Sequence, residues 1–276
     1  MFQKFIFSLL LVSTVATAET TVVNIGAATS PTALYAQAFA KNLPNSKFIT
    51  VKNCAEATEV ARNNSNAVFV LVNDIFVQSQ RLNQECNLPI TTTSIVAMSD
   101  AYFEICRKSG NAKSLLVPNI IVGRASVHPI KEWQADFNKR NQASVKAVGY
   151  SGSKAVLAAV LNGEVDWGYI ATEIAEPAIA QGTIECPYNS NASSPRSLHR
   201  SYDMQMNEYV LKYALVTTSK DASIVKELRA AARNEQFLNY LTVSRHANLV
   251  ITPTDYNIDS FYQSVKSLNL LLDTYK

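Results

Sequence analysis

Two short serine-containing segments stand directly in front of predicted helices, a placement suited to binding an anion. Ser126 precedes the helix predicted over residues 129–140, and Ser151-Gly152-Ser153 leads into the helix predicted over residues 154–161. The first turn of a helix presents unpaired backbone N–H groups and the positive end of the helix dipole. The same serines would also serve as ordinary helix caps, and the two roles are compatible because a cap leaves neighbouring N–H groups free.

Further polar groups follow predicted strands and extend this candidate site. Arg124 comes directly after the apolar strand predicted over residues 120–122, in a predicted loop over residues 123–128. Its planar guanidinium suits a carboxylate through two parallel hydrogen bonds, and a surface ion pair is the alternative. Asn73 follows the apolar run 67–72. Because Asn73 stands at the end of a predicted strand, we expect it to line the same candidate site.

The sequence gives little support for a catalytic site, so we expect no enzyme activity. A triad can be drawn from Ser151 or Ser153 with His128 and Asp166, but only by combining common residues, and no Gly-x-Ser-x-Gly motif is present. We instead expect Asp166 to be a buried, hydrogen-bonded residue inside a strand, since an unpaired charge there would be costly. The chain also has no phosphate-binding glycine loop and no His-Glu-x-x-His, and we expect no cofactor.

The elements that would position these residues alternate between strands and helices in two successive units. Such an order predicts an α/β fold with mostly parallel sheets flanked by helices. In the first unit, Ser30 and Pro31 have the types preferred at a helix cap and at the first helical position. The predicted strands cover residues 21–25, 48–51 and 67–72 in the first unit and 120–122, 145–148 and 165–170 in the second.

The chain crosses between the two units twice, which predicts two lobes with a discontinuous first one. A long strand-like segment over residues 94–107 enters the second unit, and a strand predicted over residues 209–217 leaves it. We therefore expect lobe one to hold residues 19–102 and 209–276, and lobe two to hold residues 103–208. A cleft between two such lobes is a natural ligand site. Residues 189–203 are polar and predict a loop or linker, and residues 255–275 predict an amphipathic helix packed on the core.

The amino terminus has the pattern of a cleavable export signal. Lys4 precedes an apolar run over residues 5–12, and Ala16-Thr17-Ala18 supplies a small-residue cleavage site. The apolar run is shorter than the roughly 20 residues needed to span a bilayer. We therefore expect residues 1–18 to be removed and the protein to reach the periplasm. The net charge of +3 is low and scattered, so a nucleic-acid partner is not expected.

The chain contains four cysteines, an even number that favours disulfides in an exported protein. Three pairings are possible from the sequence, and the lobe assignment favours Cys54 with Cys86 and Cys106 with Cys186. No Cys-x-x-Cys is present, and the chain has three histidines. A zinc site is therefore not expected, nor any other metal site.

Several segments resemble the extracytoplasmic receptors of tripartite tricarboxylate transporters. The most specific are Gly149-Tyr150-Ser151-Gly152-Ser153 and, after the helix, Leu161-Asn162-Gly163-Glu164-Val165-Asp166. Residues 176–182 are similar to that family's proline-containing helix ending in glycine, residues 123–128 to its Gly/Ser loop followed by His, and residues 26–35 to its first loop and helix. The resemblance implies a type II periplasmic-binding-protein fold, a small carboxylate ligand and a membrane permease as partner.

These observations together predict a receptor that captures a small organic anion, a carboxylate, between its lobes for a transporter. Two alternatives remain open at this point, an exported α/β hydrolase and a sensor or adhesion module built on the same fold. The residues expected to contact the ligand are Ala28, Thr29, Ser30, Asn73, Arg124, Ala125, Ser126, Tyr150, Ser151, Gly152 and Thr172.

Overall fold

The architecture comes from a computed structural model, which describes residues 19–72, 88, 95–125, 130–191, 193–203, 211–244 and 247–251. The expected signal segment 1–18 and the amphipathic helix expected over residues 255–275 both lie outside the described residues. Within the described part of the chain, no helix is long and apolar enough to cross a membrane.

Strands and helices alternate through most of the described chain. The strands are β1 (Thr20–Ile25), β2 (Ser46–Val51), β3 (Ala67–Val72), β4 (Ile95–Ala101), β5 (Phe103–Lys108), β6 (Ile121–Ala125), β7 (Lys146–Tyr150), β8 (Trp167–Ala171), β9 (Ile184–Asn189), β10 (Leu211–Thr217) and β11 (Ala247–Ile251). The helices are α1 (Pro31–Ala40), α2 (Cys54–Asn63), α3 (Ile130–Asn141), α4 (Ser153–Asn162), α5 (Thr172–Ala180), α6 (Leu198–Ser201), α7 (Ala222–Ala232) and α8 (Glu235–Val243).

The first sheet has the strand order β11-β4-β10-β3-β1-β2. Strand β1 pairs in parallel with both β2 and β3, as the alternation of strands and helices predicts. Strand β10 then enters between β3 and β4 and pairs antiparallel with each. As a result, β1, β2, β3 and β4 run in one direction and β10 and β11 in the other, so the predicted parallel sheet is in fact mixed.

The second sheet has the order β7-β6-β8-β5-β9. Strand β6 pairs in parallel with β7 and β8, whereas β5 pairs antiparallel with β8 and β9. The carboxyl ends of β6, β7, β8 and β9 therefore meet at one edge of this sheet, together with the beginning of β5. Strand β5 follows β4 of the first sheet after the single residue Tyr102, so this edge is where the chain crosses between the sheets.

Local sequence explains where several helices begin and end. Ser30 is the cap of α1, and its side chain accepts a hydrogen bond from the backbone N–H of Ala33, as predicted. Asn53, Asp221 and Asn234 cap α2, α7 and α8 in the same way. Gly163 follows α4 with a φ of 76°, a left-handed conformation that favours glycine at the end of a helix.

Four sequence-based expectations are corrected by the structure. Strand β6 extends to Ala125, so the predicted loop over residues 123–128 begins later than expected. Residues 184–189, which had no predicted strand, form β9 at the edge of the second sheet, where Pro187 removes no ladder hydrogen bond. Strand β11 was also not predicted. Asp166 precedes β8 and does not lie inside the strand, and its side chain is 16% exposed.

One predicted disulfide is present and the other lies partly outside the described residues. Cys106 on β5 is bonded to Cys186 on β9, with their Cα atoms 4.0 Å apart. The bond joins neighbouring antiparallel strands and so ties the edge strand β9 to the sheet. Cys54 is also disulfide-bonded, whereas Cys86 lies outside the described residues. The pairing of Cys54 with Cys86 therefore stays a prediction.

Candidate functional site

The carboxyl edge of the second sheet gathers most of the residues predicted to contact a ligand. Ala125 and Tyr150 are the last residues of β6 and β7, and they stand side by side in the pairing of these strands. Strand β8 lies on the other side of β6 and ends at Ala171, so Thr172 follows at the same edge. Ser126, which follows β6, lies outside the described residues, as does Asn73.

The start of α4 is not capped by a serine side chain. Gly152 is the cap residue, in an extended backbone conformation, and it makes no side-chain capping hydrogen bond. Ser153 is buried, and its hydroxyl accepts a hydrogen bond from the backbone N–H of Ala171 at 3.2 Å. Ser151 is exposed. The Ser153 hydroxyl therefore attaches α4 to the end of β8. The cap residue Gly152 has no side chain, so no side chain at the cap accepts a hydrogen bond from the backbone N–H groups of the first turn.

Arg124 lies within the sheet and not in a loop. It is the fourth residue of β6, pairs with Gly149 of β7, and is only 6% exposed. Its Nη1 atom donates a long hydrogen bond of 3.4 Å to the carbonyl of Ala125. The guanidinium is thus held next to the last residue of the strand, and it lies in the interior of the sheet and not on the surface.

Thr172 connects the beginning of α5 to the crossing between the sheets. Its hydroxyl donates a hydrogen bond of 3.1 Å to the carbonyl of Tyr102, and its backbone N–H donates to the same carbonyl at 3.4 Å. Thr172 itself is buried. Because Tyr102 is the single residue between β4 and β5, this pair of hydrogen bonds fixes α5 to the first crossing segment.

A polar cavity of about 250 Å³ opens at the same edge. Among the described residues, Thr172 is the one member of the predicted site that lines this cavity, and the other lining residues were not identified from the sequence. They are Tyr102, Glu104, Asn189, Asn191, Ser193, Ser194 and Arg196. The sequence signal that was available is the dense run of Asn and Ser with one Arg over residues 189–196.

An ion pair between Glu104 and Arg196 forms one wall of this cavity. Nη1 and Nη2 of Arg196 donate to Oε2 and Oε1 of Glu104 at 3.1 and 3.3 Å, which is a bidentate arrangement. Nη1 of Arg196 also donates to the carbonyl of Cys186. The Glu104 side chain is 2% exposed and that of Arg196 39% exposed. The Glu104 carboxylate is therefore buried, whereas its partner Arg196 is partly exposed to the cavity.

The polar stretch expected to be a loop or linker contains a loop that is folded against the sheet. Ser190 exchanges two hydrogen bonds with Phe103 at the start of β5, one through its hydroxyl and one through its backbone N–H. The side chain of Asn189 donates to Ser194 at 2.9 Å and accepts from the backbone N–H of Asn191 at 3.2 Å. These contacts satisfy polar groups within the loop, and five of its described residues line the cavity, namely Asn189, Asn191, Ser193, Ser194 and Arg196.

The first lobe places its predicted residues at the carboxyl end of β1. Ala28 and Thr29 are exposed in the turn before α1, and Ser30 is occupied as the helix cap. The turn is braced from within the strand, because the buried Asn24 side chain donates to the carbonyl of Ala27 at 3.2 Å. Gly26 has a φ of 109°, which side-chain-bearing residues rarely adopt. Ala28 and Thr29 are thus free to contact a ligand, while the Ser30 hydroxyl has an intramolecular role.

The triad considered as an alternative is not assembled. Asp166 accepts a hydrogen bond from the backbone N–H of Ile121 at the beginning of β6, and it forms an ion pair with Lys113 at 2.5 Å. It therefore lies at the amino edge of the sheet, whereas Ser151 follows the carboxyl end of β7. The five residues of β8 separate the two edges by roughly 16 Å at about 3.3 Å per residue. His128 lies outside the described residues.

Known proteins resemble this chain in structure but not detectably in sequence. No protein-family model matches the chain, and no curated protein matches it. Among solved structures, the periplasmic binding protein BugD has a TM-score of 0.71 at 13% identity, over 93% of this chain and 96% of that one. MatC from Rhodopseudomonas palustris, solved with bound malate, has a TM-score of 0.68 at 14% identity, over 94% of this chain and 99% of that one. The chain has the fold of a two-lobed periplasmic binding protein.

Other structures with this fold agree with the resemblance found in the sequence. The R. palustris protein Rpa4515, solved with adipate, has a TM-score of 0.72 at 12% identity, over 93% of this chain and 95% of that one. A TctC solute-binding protein from Polaromonas, solved without ligand, is also similar, with a TM-score of 0.59 at 14% identity. The predicted α/β fold with two lobes is therefore confirmed, and so is the resemblance to receptors of the tricarboxylate type.

Proposed function

We propose that this protein is a periplasmic receptor that captures a small organic anion, a carboxylate, between its two lobes. The ligand would then pass to the membrane permease of a tripartite transporter. The main supporting observation is the uncovered first turn of α4, which stands at the carboxyl edge of the second sheet beside Tyr150 and the buried Arg124. Open α/β sheets bind ligands at this edge.

The electrostatics of this edge favour a negatively charged ligand group. The amides at the start of α4 carry the positive end of the helix dipole, and the Arg124 guanidinium lies one residue before the end of β6. The nearby Arg196 is already paired with Glu104, so it adds little net charge to the site. One carboxylate would therefore meet helix amides and a single arginine without a second buried cation.

We also propose the division of the chain on which this cleft depends. Lobe one would comprise residues 19–102 and 209–276, and lobe two residues 103–208. Sheet membership supports this division, because β1–β4, β10 and β11 form one sheet and β5–β9 the other. Tyr102 stands at the first boundary, whereas the second crossing, over residues 204–210, lies outside the described residues. Ala28 and Thr29 of lobe one would meet the ligand from the opposite side of the cleft.

The hydrolase alternative loses its support, since Asp166 lies at the far edge of the sheet from Ser151. A sensor or adhesion role would use the same fold and the same ligand site. It would differ in its partner, so co-purification of a permease from the membrane favours transport. Binding of the ligand-loaded protein to a membrane kinase or to a surface polymer would favour the sensor or adhesion role.

Isothermal titration calorimetry of the mature protein tests the anion site, with malate and adipate as first probes and a neutral sugar as the comparison. Replacing Arg124 by Ala should weaken carboxylate binding by about 1.5–3 kcal/mol, the range for hydrogen bonds to charged groups. Replacing the exposed Ser151 by Phe should block binding without affecting the fold. The exposed Arg62 on α2, replaced by Ala, serves as the matched control.

Thermal melting of each variant separates loss of binding from loss of folding. This matters for Arg124, because its side chain is buried, and less for Ser151. If both variants bind carboxylates like the wild type, or if the neutral sugar is the best ligand, the anion site is wrong. The receptor function would then need a different ligand class.

A further inference from the structure

A groove of about 320 Å³ lies between the two lobes, away from the proposed anion site. We call it the α1–α5–α8 groove. Helix α5 packs on α4 and on strands β5, β8 and β9 of the second sheet, whereas α1 packs on β1, β2 and β3 of the first sheet and on α8. The groove is lined by Leu34, Gln37, Ala38 and Lys41 of α1, by Glu173, Glu176 and Pro177 of α5, and by Tyr240, Val243 and Ser244 at the end of α8.

Glu173 occupies an unfavourable position in this groove for an ionised group. Its Oε1 atom is buried and has no hydrogen-bond partner. Lys41 lines the same groove but forms no ion pair with Glu173 in the part of the chain that the structure describes. The apolar side chains Leu34 and Val243 form part of the surrounding wall. A carboxylate with one buried oxygen that lacks a hydrogen-bond partner is costly in such a place, and the neutral acid is favoured.

The charged and titratable groups that face Glu173 come from all three helices. They are Lys41 on α1, Glu176 on α5 itself and Tyr240 on α8. Burial raises the pKa of Glu173 from its usual 4.5 to about 7, and a hydrogen bond from its own backbone N–H lowers it by less. Burial also raises the pKa of Tyr240, and the charge of Glu173 raises it further. The two groups therefore influence each other across the boundary between the lobes.

Tyr240 is held firmly on the side of lobe one. Its ring stacks on Phe237 with centroids 6.3 Å apart and meets the buried Tyr35 edge-on at the same distance. Glu173, in contrast, belongs to α5, which packs on strands β5, β8 and β9 of the second sheet. Any separation of the lobes at this groove would expose Glu173 to water while Tyr240 stayed in place.

We propose that Glu173 makes the contact between the lobes at the α1–α5–α8 groove dependent on pH. With its carboxyl protonated, α5 packs against α1 and α8, and with the carboxylate ionised the groove widens so that water reaches it. This inference rests on the two-lobed fold and on no particular ligand. It would make the protein's resting conformation depend on the acidity of its compartment.

The direction of the effect follows from proton linkage. The pKa is raised in the packed form, so the stabilisation of that form is complete below pH 4.5 and is lost as the pH rises to about 7. Each pH unit in this window would change the equilibrium tenfold if the pKa in the separated form returned fully to its usual value. Because the Glu173 side chain is only half-buried, we expect a total change of about 10- to 100-fold.

Distance measurements by double electron–electron resonance test the proposal on the full mature chain without ligand. Spin labels would be placed at Asn63 on α2 and Ala180 on α5, which are exposed on opposite lobes. The wild-type background should show a longer distance at pH 8 than at pH 4.5. Replacing Glu173 by Gln, a neutral group of the same shape, should keep the short distance at both pH values. The exposed Glu164, replaced by Gln, is the matched control and should keep the wild-type shift.

A carboxyl titration by NMR gives a second measurement that does not depend on the labels. The Glu173 carboxyl carbon should titrate about one to two pH units above its usual 4.5 in the wild type, which corresponds to the expected 10- to 100-fold change. A midpoint near 4.5, a distance that does not change with pH, or a pH-dependent distance that persists in Glu173→Gln would each overturn the proposal. Because neither measurement uses a ligand, such a result would leave the proposed carboxylate-receptor function standing.

Discussion

Gly123 and Gly168 stand directly beside each other in the paired strands β6 and β8, and together they let helix α4 approach the sheet closely. A Cβ atom on Gly168 would lie 2.6 Å from Cγ2 of Val160 and 2.9 Å from Cγ1 of Val156, both on α4. One on Gly123 would lie 3.2 Å from the same atom of Val156. This close packing sets the position of the start of α4 at the carboxyl edge of the second sheet, where we propose that the ligand binds.

Replacing Gly168 by Ala should destabilise the protein by about 1–3 kcal/mol, the usual cost of inserting a methyl group into a filled core. Val160 and Val156 are buried and branched, so neither can move aside easily. Urea denaturation measures the loss. Gly152 replaced by Ala is the matched control, because its added Cβ meets no atom within 4 Å and its backbone is extended. Equal stability of the two variants would contradict this packing.

The disulfide between Cys106 and Cys186 should contribute substantially to stability. It closes a segment with a sequence separation of 80, and it fastens the edge strand β9 to β5. Replacing both cysteines by Ala should cost about 2–5 kcal/mol, mainly because the unfolded chain is less restricted. Denaturation of the double variant under oxidising conditions is the measurement. Hydrogen exchange should also speed up in β9 more than in β6, and uniform exchange would argue against a local role.

The Glu104–Arg196 pair should show strong coupling in a double-mutant cycle. Replacing Arg196 by Met leaves a carboxylate that is 2% exposed without its guanidinium, which we expect to cost about 2–3 kcal/mol. The loss is below the usual range for a buried pair because Arg196 is partly exposed. Adding Glu104→Gln to the same chain should recover part of the loss. If the two single losses simply add, the pair is not coupled.

Ligand binding should bring the two lobes together about the crossing at Tyr102. Two crossings of the chain permit a hinge between the lobes. Small-angle scattering should give a smaller radius of gyration with a saturating carboxylate than without it. The Ser151→Phe variant, which should not bind, provides the control and should keep the larger radius. An unchanged wild-type radius at saturation would indicate a rigid cleft that is already closed.

Export should remove the first 18 residues. The Ala16-Thr17-Ala18 sequence predicts cleavage before Glu19. Mass spectrometry of the protein recovered from the periplasm should give the mass of a chain starting at Glu19. Replacing Ala16 and Ala18 by bulky residues should prevent cleavage. Recovery of a chain that retains Met1 would contradict export by this route.

Local sequence patterns were sufficient for most of the individual elements. The apolar run over residues 67–72 became β3 with identical bounds, and Ser30 and Pro31 began α1 as their residue types predict. Such features depend on side-chain periodicity and on hydrogen bonds within a few residues, so they can be predicted from the sequence without knowledge of the tertiary structure. The order of these elements was also enough to predict an α/β fold with two lobes, whereas the ligand site indicated by the motif at residues 149–153 stays a prediction.

The tertiary structure decided which of those elements meet. Glu104 and Arg196 are 92 positions apart, and only the pairing of β5 with β9 brings the polar loop after β9 over Glu104. In the same way, strand pairing placed Asp166 and Ser151 at opposite edges of one sheet, which no spacing along the chain reveals. From the sequence alone, Glu173 would be expected to be an ordinary exposed acidic residue in the first turn of a helix. Its burial depends on Tyr240, which a different lobe supplies, and long-range packing of this kind is not encoded by local pattern.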